Sequence, residues 1–236
     1  MKRRMVFLTV LAILTLGAIG GAHAQPISGF YAGAGLGVRI PLDVKNTLAM
    51  PGFHGTADLE QKAGYDSQLS VGYAFGNGWR FEVEGNYGSS NVSGVTNAAF
   101  PAMGRGTIRD MGVMANTLFD LDIGSPYVYP YLGAGLGYQS THLSGVTMLR
   151  TDTGASFTAS GEKGAPAGQA IVGLSFPVPN MPGLSITADY RIMDVLGGAH
   201  FDVAPATGVM KLHNQFTQSG ILSIRFAFDT PPPPAR

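Results

Sequence analysis

The chain of 236 residues contains no cysteine. Disulfides are therefore unavailable as a source of stability, and cysteine-ligated zinc and iron–sulfur centres are excluded. Charge is scarce too, with 15 Lys and Arg against 15 Asp and Glu, 13% of the residues. Nowhere do the basic residues gather into a stripe that could neutralise phosphates, so nucleic acid is not an expected partner. Helix-period apolar stripes with caps are missing after the first two dozen residues, which argues against an α/β enzyme. The longest apolar run, 5–20, falls short of the roughly 20 residues that a membrane-spanning helix needs.

That run belongs to something else. Lys2, Arg3 and Arg4 precede it, and Ala22-His23-Ala24 follows as a small-residue cleavage site before Gln25, the three parts of a secretory signal. Cleavage after residue 24 removes three of the 15 basic residues and no acidic one, leaving a formal charge of −3. The domain expectation is a signal peptide over 1–24, one all-β domain over 25–229, and a proline-rich tail over 230–236. The 34 glycines and the 10% share of aromatics suit one large β domain better than two small ones.

Period-two alternation runs through eight segments, roughly 29–40, 64–75, 79–88, 107–121, 127–139, 167–178, 184–194 and 217–228. In the last of these, Leu222, Ile224, Phe226 and Phe228 share one face, and Ser223, Arg225 and Ala227 the other. Likewise Trp79, Phe81, Val83 and Tyr87 alternate with Arg80, Glu82, Glu84 and Asn86, and Leu184, Ile186 and Tyr190 with Asp189 and Arg191. Each segment is long enough to cross a bilayer as a tilted strand. The spacers alternate in length: short at 76–78, 122–126 and 179–183, long at 41–63, 89–106, 140–166 and 195–216. An up-and-down barrel sorts its connections in this way, one rim receiving the short turns and the other the long loops.

Lipid cannot satisfy an open sheet edge, so the expected fold is an eight-stranded antiparallel up-and-down transmembrane β-barrel with its apolar face toward lipid. Arg39, Asp66, Gln68, Arg80, Glu82, Glu84, Asn86, Asp110, Asn116, Gln139, Gln169, Asp189, Arg191 and Arg225 then point inward. A narrow lumen makes an unpaired charge costly, so Glu82, Glu84 and Asp189 are expected to face Arg80, Arg191 and Arg225 as a lumen charge network. Loss of Arg225 should accordingly destabilise the barrel more than loss of Lys163 in a loop. Phe30, Tyr65, Phe75, Trp79, Phe119, Tyr127, Tyr129, Phe176, Phe226 and Phe228 fall near strand ends, where interfacial girdles lie.

Gly33-Ala34-Gly35-Leu36-Gly37 recurs as Gly133-Ala134-Gly135-Leu136-Gly137, with Tyr31 and Tyr131 placed alike. A dinucleotide loop is disfavoured, because Val38 and Tyr138 stand away from a GxGxxG pattern and no helix follows. On the inward face these glycines would make room for long side chains from other strands.

Taken with the signal peptide, GFYAGAGLG in the first strand, YPYLGAGLGY in the fifth, the alternating last strand ending at Phe228 and the proline-rich exit, the chain resembles the small outer-membrane β-barrel proteins of Gram-negative bacteria, in the OmpA-type N-terminal membrane domain superfamily. The resemblance implies an eight-stranded barrel in the outer membrane with both termini periplasmic. It also implies insertion by the barrel-assembly machinery, with Leu222, Ile224, Phe226 and Phe228 as the insertion signal. In OmpA-type proteins a proline-rich linker leads on to a peptidoglycan-binding domain, and this sequence stops at Arg236.

No catalytic, metal or cofactor site is assigned from the sequence. His142 and Ser144 resemble the His-x-Ser pair of outer-membrane lipid A deacylases, but the nearest acids, Asp152 and Glu162, fall in an expected loop and a triad needs an acid beside the imidazole. His54, His200 and His213 sit in three different long spacers and would need convergence to hold a metal. The leading functional expectation is a non-enzymatic structural and surface-interaction protein, with outer-membrane lipid, lipopolysaccharide and extracellular loop ligands as partners. A small ion or solute channel is the alternative, followed by a lipid-modifying enzyme. A lipocalin-like binder fails because its lumen must be apolar.

Overall fold

The computed structural model describes residues 27–229 apart from 43–44, 51–52, 98–101, 151–153, 155, 197–198, 205–207 and 213–214. The signal-peptide and tail expectations lie outside the described residues. All regular structure among the described residues is strand: β1 Gly29–Pro41, β2 Lys45–Met50, β3 Phe53–Gln61, β4 Gly64–Ala74, β5 Trp79–Asn97, β6 Ala102–Asp120, β7 Tyr129–Arg150, β8 Ser156–Pro177, β9 Leu184–Val195, β10 Ala199–Ala204, β11 Gly208–Leu212 and β12 Gln215–Ala227.

Eight of these close a ring. Antiparallel ladders join β1 to β4, β4 to β5, and on through β6, β7, β8, β9 and β12 back to β1, so no edge is left open. Stepping straight across the ladders from Tyr31 through Gly72, Glu82, Asn116, Gly135, Gln169, Met193 and Thr217 returns to β1 at Pro41, ten residues beyond the start. That stagger tilts the strands and sets a bore that side chains can fill.

The long spacers are where the sequence expectation needs correction. Loops were expected at 41–63, 89–106, 140–166 and 195–216, yet β5 and β6 run on as a pair to Val95 and Ala102, and β7 and β8 to Leu149 and Ser156. The hairpins β2–β3 and β10–β11 continue the other four strands, with β3 on β5, β2 on β11 and β10 on β8. The ring therefore extends beyond its apolar belt. Ladder hydrogen bonds need no apolar face, so the alternation that marks a membrane strand fades while the strand itself goes on.

The short connections show why the opposite rim is tight. Gly76 and Gly78 take left-handed φ values of 73° and 92°, and the Asn77 carboxamide oxygen accepts a hydrogen bond from the Trp79 N–H at 3.2 Å. Around this rim aromatic rings form a belt: Phe30 meets Tyr73 at 5.0 Å between centroids, Tyr73 meets Phe75 at 5.1 Å, Phe75 meets Phe81 at 5.7 Å and Trp79 meets Phe119 at 4.9 Å. Tyr65 on β4 stands ten residues from the exposed Phe75, which follows the end of that strand, about 25 Å of height for a strand tilted about 40°. Between the two rings Leu36, Leu69, Val71, Val83, Val113, Leu136, Val172, Leu222 and Ile224 are exposed on the outside.

Inward glycines seat large side chains from neighbouring strands. A Cβ on Gly173 would lie 2.5 Å from Cζ of Tyr131 and 2.8 Å from an Asp189 carboxylate oxygen, while a Cβ on the outward Gly85 meets nothing within 4 Å. Gly173→Ala is expected to lower stability by about 1–3 kcal/mol through overpacking. Gly85→Ala should raise it by about 0.5–1 kcal/mol, the ordinary gain from removing glycine inside a strand. Urea midpoints of the two variants in lipid vesicles check the contrast, and a shared sign would show that the inward notch is not occupied.

Candidate functional site: the lumen

Inside the ring the side chains form three polar layers. Nearest the short turns, Arg80 Nη2 lies 2.8 Å from Asp120 Oδ1, with its guanidinium over the rings of Tyr131 (4.9 Å) and Tyr31 (5.6 Å). The two tyrosines of the repeated GAGLG segments project inward alike. Tyr31 donates its hydroxyl to Glu82 at 3.0 Å, and Tyr131 donates to Asp189. Arg225 also lies over the Tyr31 ring, 5.8 Å from the centroid, and donates from Nη2 to Ser175 Oγ at 2.8 Å.

In the middle layer Arg191 bridges two strands. Its Nη1 lies 2.5 Å from Glu84 Oε2 on β5, and its Nη2 lies 2.8 Å from Asp189 Oδ2 on its own β9. The carboxamide of Asn116 donates to both Glu82 and Glu84 at 3.0 Å, and its oxygen accepts from Gln169 at 2.7 Å. Gln139 donates to Asn86 at 2.7 Å, and Gln68 to Ser223 at 3.1 Å. Toward the loop end, Arg39 Nη1 lies 2.7 Å from Asp110 Oδ2, Thr141 donates to the other Asp110 oxygen at 2.6 Å, and Ser219 donates to Asp66 at 2.6 Å. Above these, Ile108, Leu143, Val146 and Ala159 are fully buried, so the polar column is capped by apolar side chains.

The six residues of the expected charge network all face the lumen, but their partners differ in part from the expectation. Arg191 meets Glu84 and Asp189. Arg80 instead takes Asp120, a residue that continuing the alternation to the end of its strand would have found. Among the described residues Arg225, 5% exposed, has no carboxylate within ion-pair distance, and its Nε and Nη1 have no hydrogen-bond partner. Glu82 is held by Tyr31 and Asn116 rather than by an arginine. The stagger between strands decides these pairings.

Among the described residues, cavities of about 20 Å³ beside Asp110 and Arg39 and about 30 Å³ beside Arg80, Arg225 and Glu82 lie within these layers, each no larger than a water or two. A groove of about 990 Å³ lies instead where Gly85 leaves room among Leu36, Leu69, Val113 and Leu222 on the apolar exterior.

The histidine readings separate. His142 lies on the outward face of β7, and the register sets Glu162 of β8 directly opposite it, not in a loop as the sequence suggested. The Glu162 carboxylate accepts from Ser140 at 2.7 Å, and no hydrogen bond links His142 to Ser144 among the described residues. His54 is on β3 and His200 on β10, while His213 lies outside the described residues. No group of three His, Asp or Glu fit to hold a metal occurs among the described residues. On β12, Leu222, Ile224 and Phe226 are exposed on the outward face, and Phe228, one residue past its end, is exposed too.

A sheet closed on itself, apolar outside between aromatic rings and ion-paired within, is the architecture of a transmembrane β-barrel. Comparison with known proteins agrees. The family described as Outer membrane protein beta-barrel domain matches residues 9–204. An outer membrane protein of Gluconacetobacter diazotrophicus is 36% identical over 195 residues, 75% of this chain and 50% of that protein. The chain thus spans half the length of that curated relative. Among solved structures, Neisserial surface protein A is 19% identical with a TM-score of 0.50, covering 86% of this chain and 100% of its own. OprG from Pseudomonas aeruginosa is 14% identical with a TM-score of 0.57, covering 86% and 98%. At such identities these two show a shared fold. The chain belongs to the outer-membrane β-barrel family.

Proposed function

We propose that the protein is a closed structural barrel that reinforces the outer membrane and holds its extended strand hairpins outside for surface contacts. The observation that carries this reading is the filled lumen: charged and amide side chains from opposite walls meet across it, and the voids beside them among the described residues measure about 20 and 30 Å³. A bore packed in this way offers no continuous water path. In this reading the short turns and both termini face the periplasm, and the hairpins β2–β3 and β10–β11 and the paired ends of β5–β6 and β7–β8 face outward. Export by the signal peptide and recognition of Leu222, Ile224, Phe226 and Phe228 by the barrel-assembly machinery complete the proposal. Its partners are outer-membrane lipid and lipopolysaccharide, and ligands of the exposed hairpins.

The test is single-channel recording of the purified barrel in a planar bilayer beside the double variant Arg80→Ala, Arg225→Ala. Silence from the unaltered protein with leak from the variant is the expected result. Discrete steps from the unaltered protein would replace this reading with a small ion or solute channel.

A further inference from the structure

The outward face of β6 changes character at one position. From Phe119 up to Met111 its outward residues are apolar but for Thr117, and beyond Met111 come Arg109, Thr107 and Arg105, with both arginines exposed. The register puts Ser89 of β5 on one side of Arg109 and His142 of β7 on the other. Adjacent strands lie about 4.8 Å apart, so hydroxyl, guanidinium and imidazole form a row about 10 Å wide. Tyr65 and Tyr87, with ring centroids 5.9 Å apart, flank it at the loop end of the apolar belt, and the Tyr65 hydroxyl lies within electrostatic reach of Arg109.

Neither Arg105 nor Arg109 has an ion-pair partner among the described residues. Glu162, the carboxylate opposite His142, is two strands from Arg109 and accepts from Ser140. Two free guanidinium groups thus stand on the lipid-facing surface at the height where hydrocarbon gives way to headgroups. A planar guanidinium pairs with phosphate through parallel N–H bonds, and its apolar stem can lie along the belt below.

We propose that Arg109 and Arg105, with His142 and Ser89 beside them, form a binding site for the phosphate groups of outer-leaflet glycolipid, the lipid A part of lipopolysaccharide. The site rests on the proposed orientation, in which the loop end faces outward. Charge complementarity selects this occupant: the belt holds acyl chains, and the row meets the anionic sugar directly above them. The lipid then sits on the β5–β7 wall.

Native mass spectrometry of the full barrel in detergent, titrated with diphosphorylated lipid A or with its dephosphorylated form, tests the site. The unaltered protein should bind the phosphorylated lipid at least about tenfold more tightly, the value of one or two charge-assisted hydrogen bonds. In Arg105→Gln, Arg109→Gln that preference should vanish while the dephosphorylated lipid binds as before. Equal binding of both lipids by the unaltered protein, or an undiminished preference in the variant, would overturn the site. Both arginines are exposed, so retained heat-modifiable mobility on gels verifies that the variant is folded. Orientation is read separately by labelling Ser156→Cys in intact cells with a membrane-impermeant maleimide. Labelling only after lysis would overturn the proposed orientation and, with it, the outer-leaflet source of the lipid, whatever the affinity in detergent.

Discussion

Replacing Arg191 by methionine is expected to cost the barrel about 3–5 kcal/mol, the loss that follows when one member of a buried ion pair is removed and its partners stay behind. Arg191 is 5% exposed, and the carboxylates it holds, Glu84 and Asp189, are 1% and 7% exposed. Glu84 stands on β5 and Arg191 on β9, four strands apart whichever way the eight-membered ring is followed, so this ion pair ties opposite walls together. Without the cation, Glu84, Asp189 and nearby Glu82 would confront one another in a space too small to hydrate them. The triple variant Arg191→Met, Glu84→Gln, Asp189→Asn should recover most of the loss, because it removes the stranded charges along with the bridge. Arg225→Met provides the contrast. Among the described residues that guanidinium has Ser175 and the face of Tyr31 as partners and no carboxylate, so its replacement by a similar apolar volume should cost about 1 kcal/mol or less. Unfolding midpoints in urea, read by the heat-modifiable gel shift, report all three variants. Equal losses for Arg191→Met and Arg225→Met would show that the short contacts around Arg191 do not anchor the lumen.

How much of this was legible in the chain follows from what alternation can and cannot encode. A strand with lipid on one side and a packed lumen on the other must alternate apolar with polar. Arg80, Glu82, Glu84 and Asn86 therefore announce their face from sequence alone, as do Trp79, Phe81 and Val83. Ring closure and strand number follow because eight such segments, with short and long spacers in turn, leave little choice. The partner of each lumen charge was not legible. Whether Arg80 meets Glu84 or Asp120 depends on the ten-residue stagger around the ring, and no local pattern records that offset. The same holds for Tyr31 and Tyr131: the repeat pointed to glycines making space, while the rings that use Gly72 and Gly173 became visible only with the register. Strands β2, β3, β10 and β11 look like loops in the sequence because above the belt neither face need be apolar, and the periodicity vanishes although the ladder continues. For the same reason the sequence hides that Glu162 is a strand residue opposite His142.

Leu69→Arg should destabilise the barrel by about 2–4 kcal/mol in lipid, whereas Tyr65→Arg should cost about 1 kcal/mol or less. Both residues lie on the outward face of β4, and Leu69 is 68% exposed, so on geometry alone either substitution would look harmless. Depth makes the difference. Leu69 lies in the middle of the apolar belt between Phe75 and Tyr65, where a guanidinium finds neither water nor a counter-charge and must drag both into the hydrocarbon or bend away to reach them. At position 65 the same group lies level with the headgroups, beside Ser89. In a soluble barrel the two substitutions would be equivalent, since both sites would meet water. Folding free energies in vesicles therefore test which face of the sheet meets the solvent and which solvent it meets. A depth-independent result would contradict the membrane-spanning belt, and the expected contrast would locate its centre within a few residues of Leu69 on β4.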